Sequence, residues 1–261
     1  MSAPDSRFPA RLSELRFLFQ PVVALDGDDD WAEALVRWFL PDGTVRGPLE
    51  LLPYWLAEPR RGTFTRYTLA RAAQALGAAP TGSVSVNLSP QQVVHPQTIA
   101  FIEAMLPEIR TRLRLEVTEQ RVRSARTLRA ALDELRPHCA ALLLDDVTPD
   151  DLDLRSRVCD AVDGVKLDRS VVMALLQPER ATAMRRFVSD ACARFATVVA
   201  EGIEDAAQCD ALRALGVTHV QGFAIGKPRA ELAGVRTDRR VRFEPTHEPP
   251  GATPNRAERD R

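Results

Sequence analysis

The sequence predicts an α/β protein, a (β/α)8 barrel whose first strand runs antiparallel to the rest. Three observations predict it. Eight short apolar runs are spaced along the chain, at 16–25, 32–38, 83–89, 113–119, 141–147, 164–168, 196–203 and 217–223, each bounded by polar or turn residues. Stretches with a three-to-four-residue apolar period separate most of them, clearest over Tyr67–Leu76, Ile99–Leu106, Thr127–Leu135, Met184–Phe195 and Ala206–Leu215. Strands separated by helices pair in parallel, because parallel neighbours need a crossover. The third observation is the exception: only a short loop around Asp26–Asp30 joins the first two runs, which permits a hairpin and not a crossover.

The individual elements carry their own signals. LLL at 142–144 reads as a strand buried on both faces, leaving Asp145 and Asp146 where it exits the core. Ser89-Pro90 and Ser124 stand where helices should start, and Gly77 and Gly216 where two should stop. The 261 residues suit one barrel of about 250 residues. The organisation expected is an extension over 1–15, a barrel over 16–235, and a disordered tail over 236–261, where prolines and charges replace periodicity.

Composition narrows the partners. A hydrophobic content of 45% supports a large core, and a net charge of −1 gives no argument for an anionic membrane surface or a nucleic-acid polymer, neither of which is expected as a partner. No apolar run reaches the ~18 residues of a membrane span, and MSAPDSRFPARLSELR lacks the apolar centre of a signal peptide. A cytoplasmic protein without membrane insertion is expected. Cys139, Cys159, Cys192 and Cys209 form no CxxC pair and read as buried free thiols.

Polar residues within or ending the strands are the functional signal: Glu33, Arg37, Asn87, Glu116, Glu119, Asp145, Asp146, Lys166, Asp168, Glu201, Glu204 and Gln221. In a barrel of parallel strands such positions converge at the carboxyl-terminal face, where active sites are built. Glu116 lies between Leu115 and Val117, and Glu201 follows VVA. Burying several unpaired carboxylates costs several kcal/mol each, and one lysine does not balance them, so cations are implied. Oxygen donors with an Asn among them suit Mg2+ or Mn2+, and no His or Cys cluster points to zinc. Adjacent Asp145 and Asp146 suit two closely spaced ions, the arrangement used for in-line phosphoryl displacement. Asp150, Asp151 and Asp153 read as solvated loop or helix-start residues.

EALVRW (33–38), VNLSPQQ (86–92), LEVTE (115–119), LDD (144–146), VKLDRS (165–170), AEGIE (200–204) and QGF (221–223) occur in that order. Together they resemble the signature segments of the EAL domain, a bacterial family of cyclic di-GMP phosphodiesterases. The likeness covers about residues 16–233. It implies a TIM-like barrel with an antiparallel first strand and hydrolysis of cyclic di-GMP to linear pGpG with two ions of Mg2+ or Mn2+. By matching motif it implies metal ligands at Glu33, Asn87, Glu116, Asp145 and Asp146, with Glu201 near the second ion. Lys166 resembles the lysine that orients the attacking water, and Glu201 the general base. Gln20, Arg37, Asp168 and Gln221 resemble contacts to the dinucleotide, and Glu119 and Glu204 resemble anchors of the loop after the fifth barrel strand. In the family that loop continues the Asp-Asp pair as Phe-Gly-x-Gly-Tyr-Ser-Ser and links the site to a homodimer. Here it reads Val147-Thr148-Pro149-Asp150-Asp151-Leu152, with no glycine and with Pro149 fixing φ. Two readings therefore stand: a working phosphodiesterase, or a catalytically silent module that binds cyclic di-GMP or a protein partner.

Overall fold

The computed structural model describes residues 11–118, 124–150 and 158–232. Strands β1 (Leu15–Ala24) and β2 (Trp31–Phe39) form the expected hairpin, in antiparallel register from Leu15 opposite Trp38 to Val22 opposite Trp31. From β2 the sheet continues in parallel through β4 (Val84–Leu88), β5 (Leu113–Val117), β6 (Ala141–Val147), β7 (Gly164–Leu167), β8 (Thr197–Ala200) and β9 (His219–Val220). β9 then pairs antiparallel with β1 and closes the barrel. The two-residue strand β3 (Val45–Arg46) extends β2 outside the ring.

Side chains alternate across a strand, so each barrel strand divides its residues between two environments. Val84, Val86 and Leu88, Leu113, Leu115 and Val117, Leu142 and Leu144, Val165 and Leu167, and Val198 and Ala200 pack outward in one large core with the helices. The intervening residues point into the barrel. Val22, Trp31, Leu143 and Val199 make a separate apolar plug near the strands' amino ends. One step along each strand, the inward positions become polar.

The plug is pinned by aromatic and charged contacts. The Trp31 ring lies 4.4 Å from the Arg114 guanidinium and 4.6 Å from the His219 ring. Arg114 pairs with Asp29 in the β1–β2 loop, and His219 Nε2 lies 3.1 Å from the Asp29 carbonyl. The hairpin loop is thereby tied across the closed end.

Helices α1 (Pro48–Trp55), α2 (Arg60–Ala78), α3 (Pro90–Val93), α4 (Pro96–Glu103), α5 (Pro107–Arg110), α6 (Ala125–Leu135), α7 (Arg169–Leu175), α8 (Pro178–Arg194) and α9 (Gln208–Ala214) surround the sheet. Ser89 makes a full capping box with Gln92, and Ser124 caps α6 by accepting from the Thr127 amide. Gly216 ends α9 at φ 92°, with its amide bonded to the Arg213 carbonyl and that of Val217 to Leu212, a Schellman motif. The expected stop at Gly77 is wrong, because α2 runs through it to Ala78. Pro80 supplies the stop, forcing Ala79 into extended backbone. None of the four cysteines forms a disulfide; Cys159 and Cys209 are buried as expected, whereas Cys139 and Cys192 are only partly so. The sequence analysis missed α1 and β3, which cover a second cluster of Leu15, Trp38, Leu40, Leu51, Trp55 and Phe64. Among the expected segments, residues 1–10 and the tail over 236–261 lie outside the described residues.

Trp31→Ala should remove the centre of the plug and cost about 3–5 kcal/mol of stability. Urea unfolding of the variant checks this; a loss below about 1 kcal/mol would show that the closed end packs independently of Trp31.

Candidate functional site

Each barrel strand delivers one polar side chain to the same inward level: Gln20 from β1, Glu33 from β2, Asn87 from β4, Glu116 from β5, Asp145 from β6 and Lys166 from β7. Glu201 and Gln221 stand one residue beyond β8 and β9. Eight residues scattered over two hundred positions meet because the strands' period is two and their carboxyl ends share one rim.

Lys166 is the hub. Only 1% exposed, its Nζ lies 2.6 Å from Glu201, 2.8 Å from Glu116, 3.1 Å from Asp145 and 3.2 Å from Glu33. The Glu33 carboxylate is further held by Asn87 Nδ2, which donates to Oε1 at 2.5 Å, and by Gln221 Nε2, which donates to Oε2 at 2.7 Å. Asp145 and its neighbour Asp146 would point to opposite faces of a regular strand. A register shift between Leu144 and Val147, with Asp146 at φ 54°, brings both to the site. Asp145, Asp146 and Glu201 each present a carboxylate oxygen within 4.8 Å of the others.

The electrostatics follow from burial. Burial would lower the Lys166 pKa, but the charges of Asp145, Glu116, Glu201 and Glu33 outweigh it and raise the pKa well above the ordinary value. Burial pushes Glu116 well up, Glu201 to about 8, and Asp146, also repelled by Asp145, to about 6. Glu33 goes the other way: Lys166 and the amide donors of Gln221 and Asn87 overcome its burial and hold its pKa below the usual carboxylate range. Five carboxylates share one buried ammonium, so the ring retains protons at neutral pH or takes up other cations.

The residues fit divalent metal. Glu116 Oε1 and Asn87 Oδ1 are buried with no hydrogen-bond partner. An orphaned carboxylate oxygen beside an orphaned amide oxygen, in a ring already rich in negative charge, is an all-oxygen donor set of the kind that hard cations take.

The ring floors a cleft of about 650 Å³. Gln20 and Arg37 line it, Gln20 donating to the Gly226 carbonyl at 3.2 Å and Arg37 half-buried with one Nη on the Val36 carbonyl. Asp168 sits beside the cleft and not in its lining: its side chain caps α7, accepting from the Ser170 amide at 2.8 Å. Glu204 pairs with Arg169 at 2.5 Å, tying the segment after β8 to α7. Glu119, Asp151 and Asp153 lie outside the described residues. Sequence reasoning missed the apolar wall of Leu49, Leu52, Leu56 and Phe64, and also Arg169. The signal for that wall was present: Gly47-Pro48 opens a helix, and Leu49, Leu52 and the C-cap Leu56 recur along it at three- and four-residue steps.

A family model for the EAL domain matches residues 7–228. An uncharacterized signaling protein of Caulobacter vibrioides is 32% identical over 235 residues, covering 87% of this chain and 29% of that protein. The cyclic di-GMP phosphodiesterase RocR of Pseudomonas aeruginosa is 29% identical over 235 residues, covering 84% of this chain and 58% of RocR. The chain spans only 27% to 32% of the length of the first three curated relatives it matches. Among solved structures, the PaMucR phosphodiesterase in complex with c-di-GMP superposes with a TM-score of 0.67 and 27% identity, over 83% of this chain and 92% of that one. The FimX EAL domain of Pseudomonas aeruginosa, at 20% identity and a TM-score of 0.69, shares the fold. With the matching model running from the first barrel strand past the last, and the ring of acids closed around one lysine, this chain belongs to the EAL domain family.

Proposed function

We propose that this chain hydrolyses cyclic di-GMP to linear pGpG. The observation that carries the reading is the ring of carboxylates and amides with buried donor oxygens left unpaired at Glu116 and Asn87. The named activity of RocR and the c-di-GMP complex of PaMucR support the choice of substrate.

Glu33, Asn87, Glu116, Asp145, Asp146 and Glu201 would hold two ions, Mg2+ or Mn2+. Such ions supply an acidified water and neutralise charge growing on the phosphoryl oxygens. The chain's own residues do the rest. Lys166 directs the attacking water through its ammonium, and Glu201 takes the proton that water loses. The water oxygen bonds to phosphorus as the bond to the 3′ oxygen breaks, and that oxygen leaves as a hydroxyl on taking a proton from solvent water, to which Glu201 returns the one it accepted. Arg37 offers a charge-assisted hydrogen bond to phosphate, and Gln20 a further polar contact. The wall of Leu49, Leu52 and Leu56 with exposed Phe223 suits the flat faces of the guanines. The sequence change at Val147-Thr148-Pro149-Asp150 leaves every residue matched to a direct ligand in place, which favours turnover over a silent binding module.

Incubation with cyclic di-GMP and Mg2+ or Mn2+, followed by chromatography, should yield pGpG; Glu33→Ala should yield none, with its circular dichroism unchanged. Binding without product would establish the silent module instead, and neither binding nor product would remove both readings.

A pH dependence also follows. Glu201, raised to about 8, and Asp146, raised to about 6, hold protons that a cation must displace. Raised carboxylate pKa values favour the folded, metal-free chain at acidic pH, an advantage lost as pH climbs toward 8. The increase in melting temperature produced by Mn2+ should therefore grow from pH 6 to pH 8, and an increment that is flat or falls over that range would contradict the assignment.

A further inference from the structure

We infer that Arg169 binds the phosphate of cyclic di-GMP that is not cut, exchanging Glu204 for it. The inference deepens the function proposed above and rests on it for the identity of the ligand.

Cyclic di-GMP carries two phosphates, and the ring can act on only one of them at a time. The other lies in the cleft above a floor of carboxylates, where an anion needs a cation of its own. Three basic residues line the cleft: Arg37, Lys166 and Arg169. Lys166 is buried and already shared among four carboxylates. Arg37 lies within the field of the Glu33 carboxylate, which sets it beside the phosphate that the ring cuts. Arg169 is left for the second.

The barrel places the two arginines on opposite rims. Around the closed sheet β7 is the fourth strand from β2 in either direction, through β4, β5 and β6 or through β1, β9 and β8. Arg37 stands on β2, and Arg169 stands two residues past the end of β7. A macrocycle with its phosphates on opposite sides, laid across the ring, meets one arginine at each edge.

Local packing fixes the stem of Arg169 and leaves its head exchangeable. Gly202, at φ 72°, lies so close that a Cβ there would come 2.4 Å from Arg169 Cγ, so the methylenes rest against the glycine's backbone. Among the described residues the guanidinium hydrogen-bonds only to Glu204, through Nη2 at 2.5 Å. One bond uses little of a five-donor fork. Both side chains are more than half exposed, and an ion pair that exposed contributes little to stability. Phosphate suits the fork better than this single contact, because it accepts two parallel bonds. Glu204, itself in the cleft lining, therefore holds the place that the phosphate takes.

The test is steady-state formation of pGpG at saturating Mn2+ by wild type, Arg169→Gln and Glu204→Gln. Arg169→Gln keeps methylenes over Gly202 and loses the charge. Its KM should rise about 10- to 100-fold, with kcat within about threefold, the signature of an interaction equal in the ground and transition states. Arg169→Lys, which keeps the charge without the fork, should fall between the two. Glu204→Gln frees the guanidinium from its competitor, so its KM should fall about twofold or more, whatever becomes of kcat. A purely structural tie between α7 and the segment after β8 would be broken alike by either substitution. A KM that moves the same way in Arg169→Gln and Glu204→Gln, or stays unchanged in Arg169→Gln, would overturn the assignment. Wild-type protein that binds cyclic di-GMP without forming pGpG would overturn the proposed hydrolysis alone, and the same comparison of Kd by calorimetry then decides the role of Arg169. Wild-type protein that binds none would overturn both.

Discussion

Lys166 sits where an ammonium has the most to do. Four carboxylates, three from different strands and the fourth just past β8, lie within 3.2 Å of its Nζ, in an interior that water barely reaches. Removing one partner of a buried ion pair typically costs about 3–5 kcal/mol, because it strands the other charge. Here one cation compensates several acids at once, so the ring's geometry depends on it. The compensation is also incomplete. Burial still drives Glu116 well above its ordinary pKa and Glu201 to about 8, which leaves the ring with protons to give up and unpaired oxygens to offer.

The remainder of the fold isolates that charge. Outward-facing Val, Leu and Ala residues of the parallel strands fix the sheet against its helices, and the Trp31 plug closes the end opposite the cleft. Arg114 and His219 flank Trp31 and grip Asp29, so the antiparallel hairpin that closes the barrel also seals it. With one end shut, the polar level opens to the cleft lined by α1 and Arg37. Rigidity at the ring then follows from the bulge at Asp146 and from the contact of Gly222 with Ile203, two places where the backbone departs from regular geometry to aim a side chain.

The sequence by itself determined the barrel, its antiparallel first strand and the polar residues that converge. Apolar runs of strand length, helical periods between them and a short connection around Asp26–Asp30 leave few other topologies. The helix starts at Ser89 and Ser124 and the stop at Gly216 were equally legible, because local hydrogen bonds decide them. The tertiary structure alone decided which atoms meet. Helix α1 escaped notice since its apolar face matters only against β2 and α2, and Asp168 and Gln221, alike in sequence as polar strand-end residues, diverged, one capping a helix and the other holding Glu33. Period and propensity act over a few neighbours and survive in the sequence; burial, charge compensation and the direction of an amide depend on partners tens of residues away or more, as far as Glu33 and Gln221, which only the closed barrel brings together.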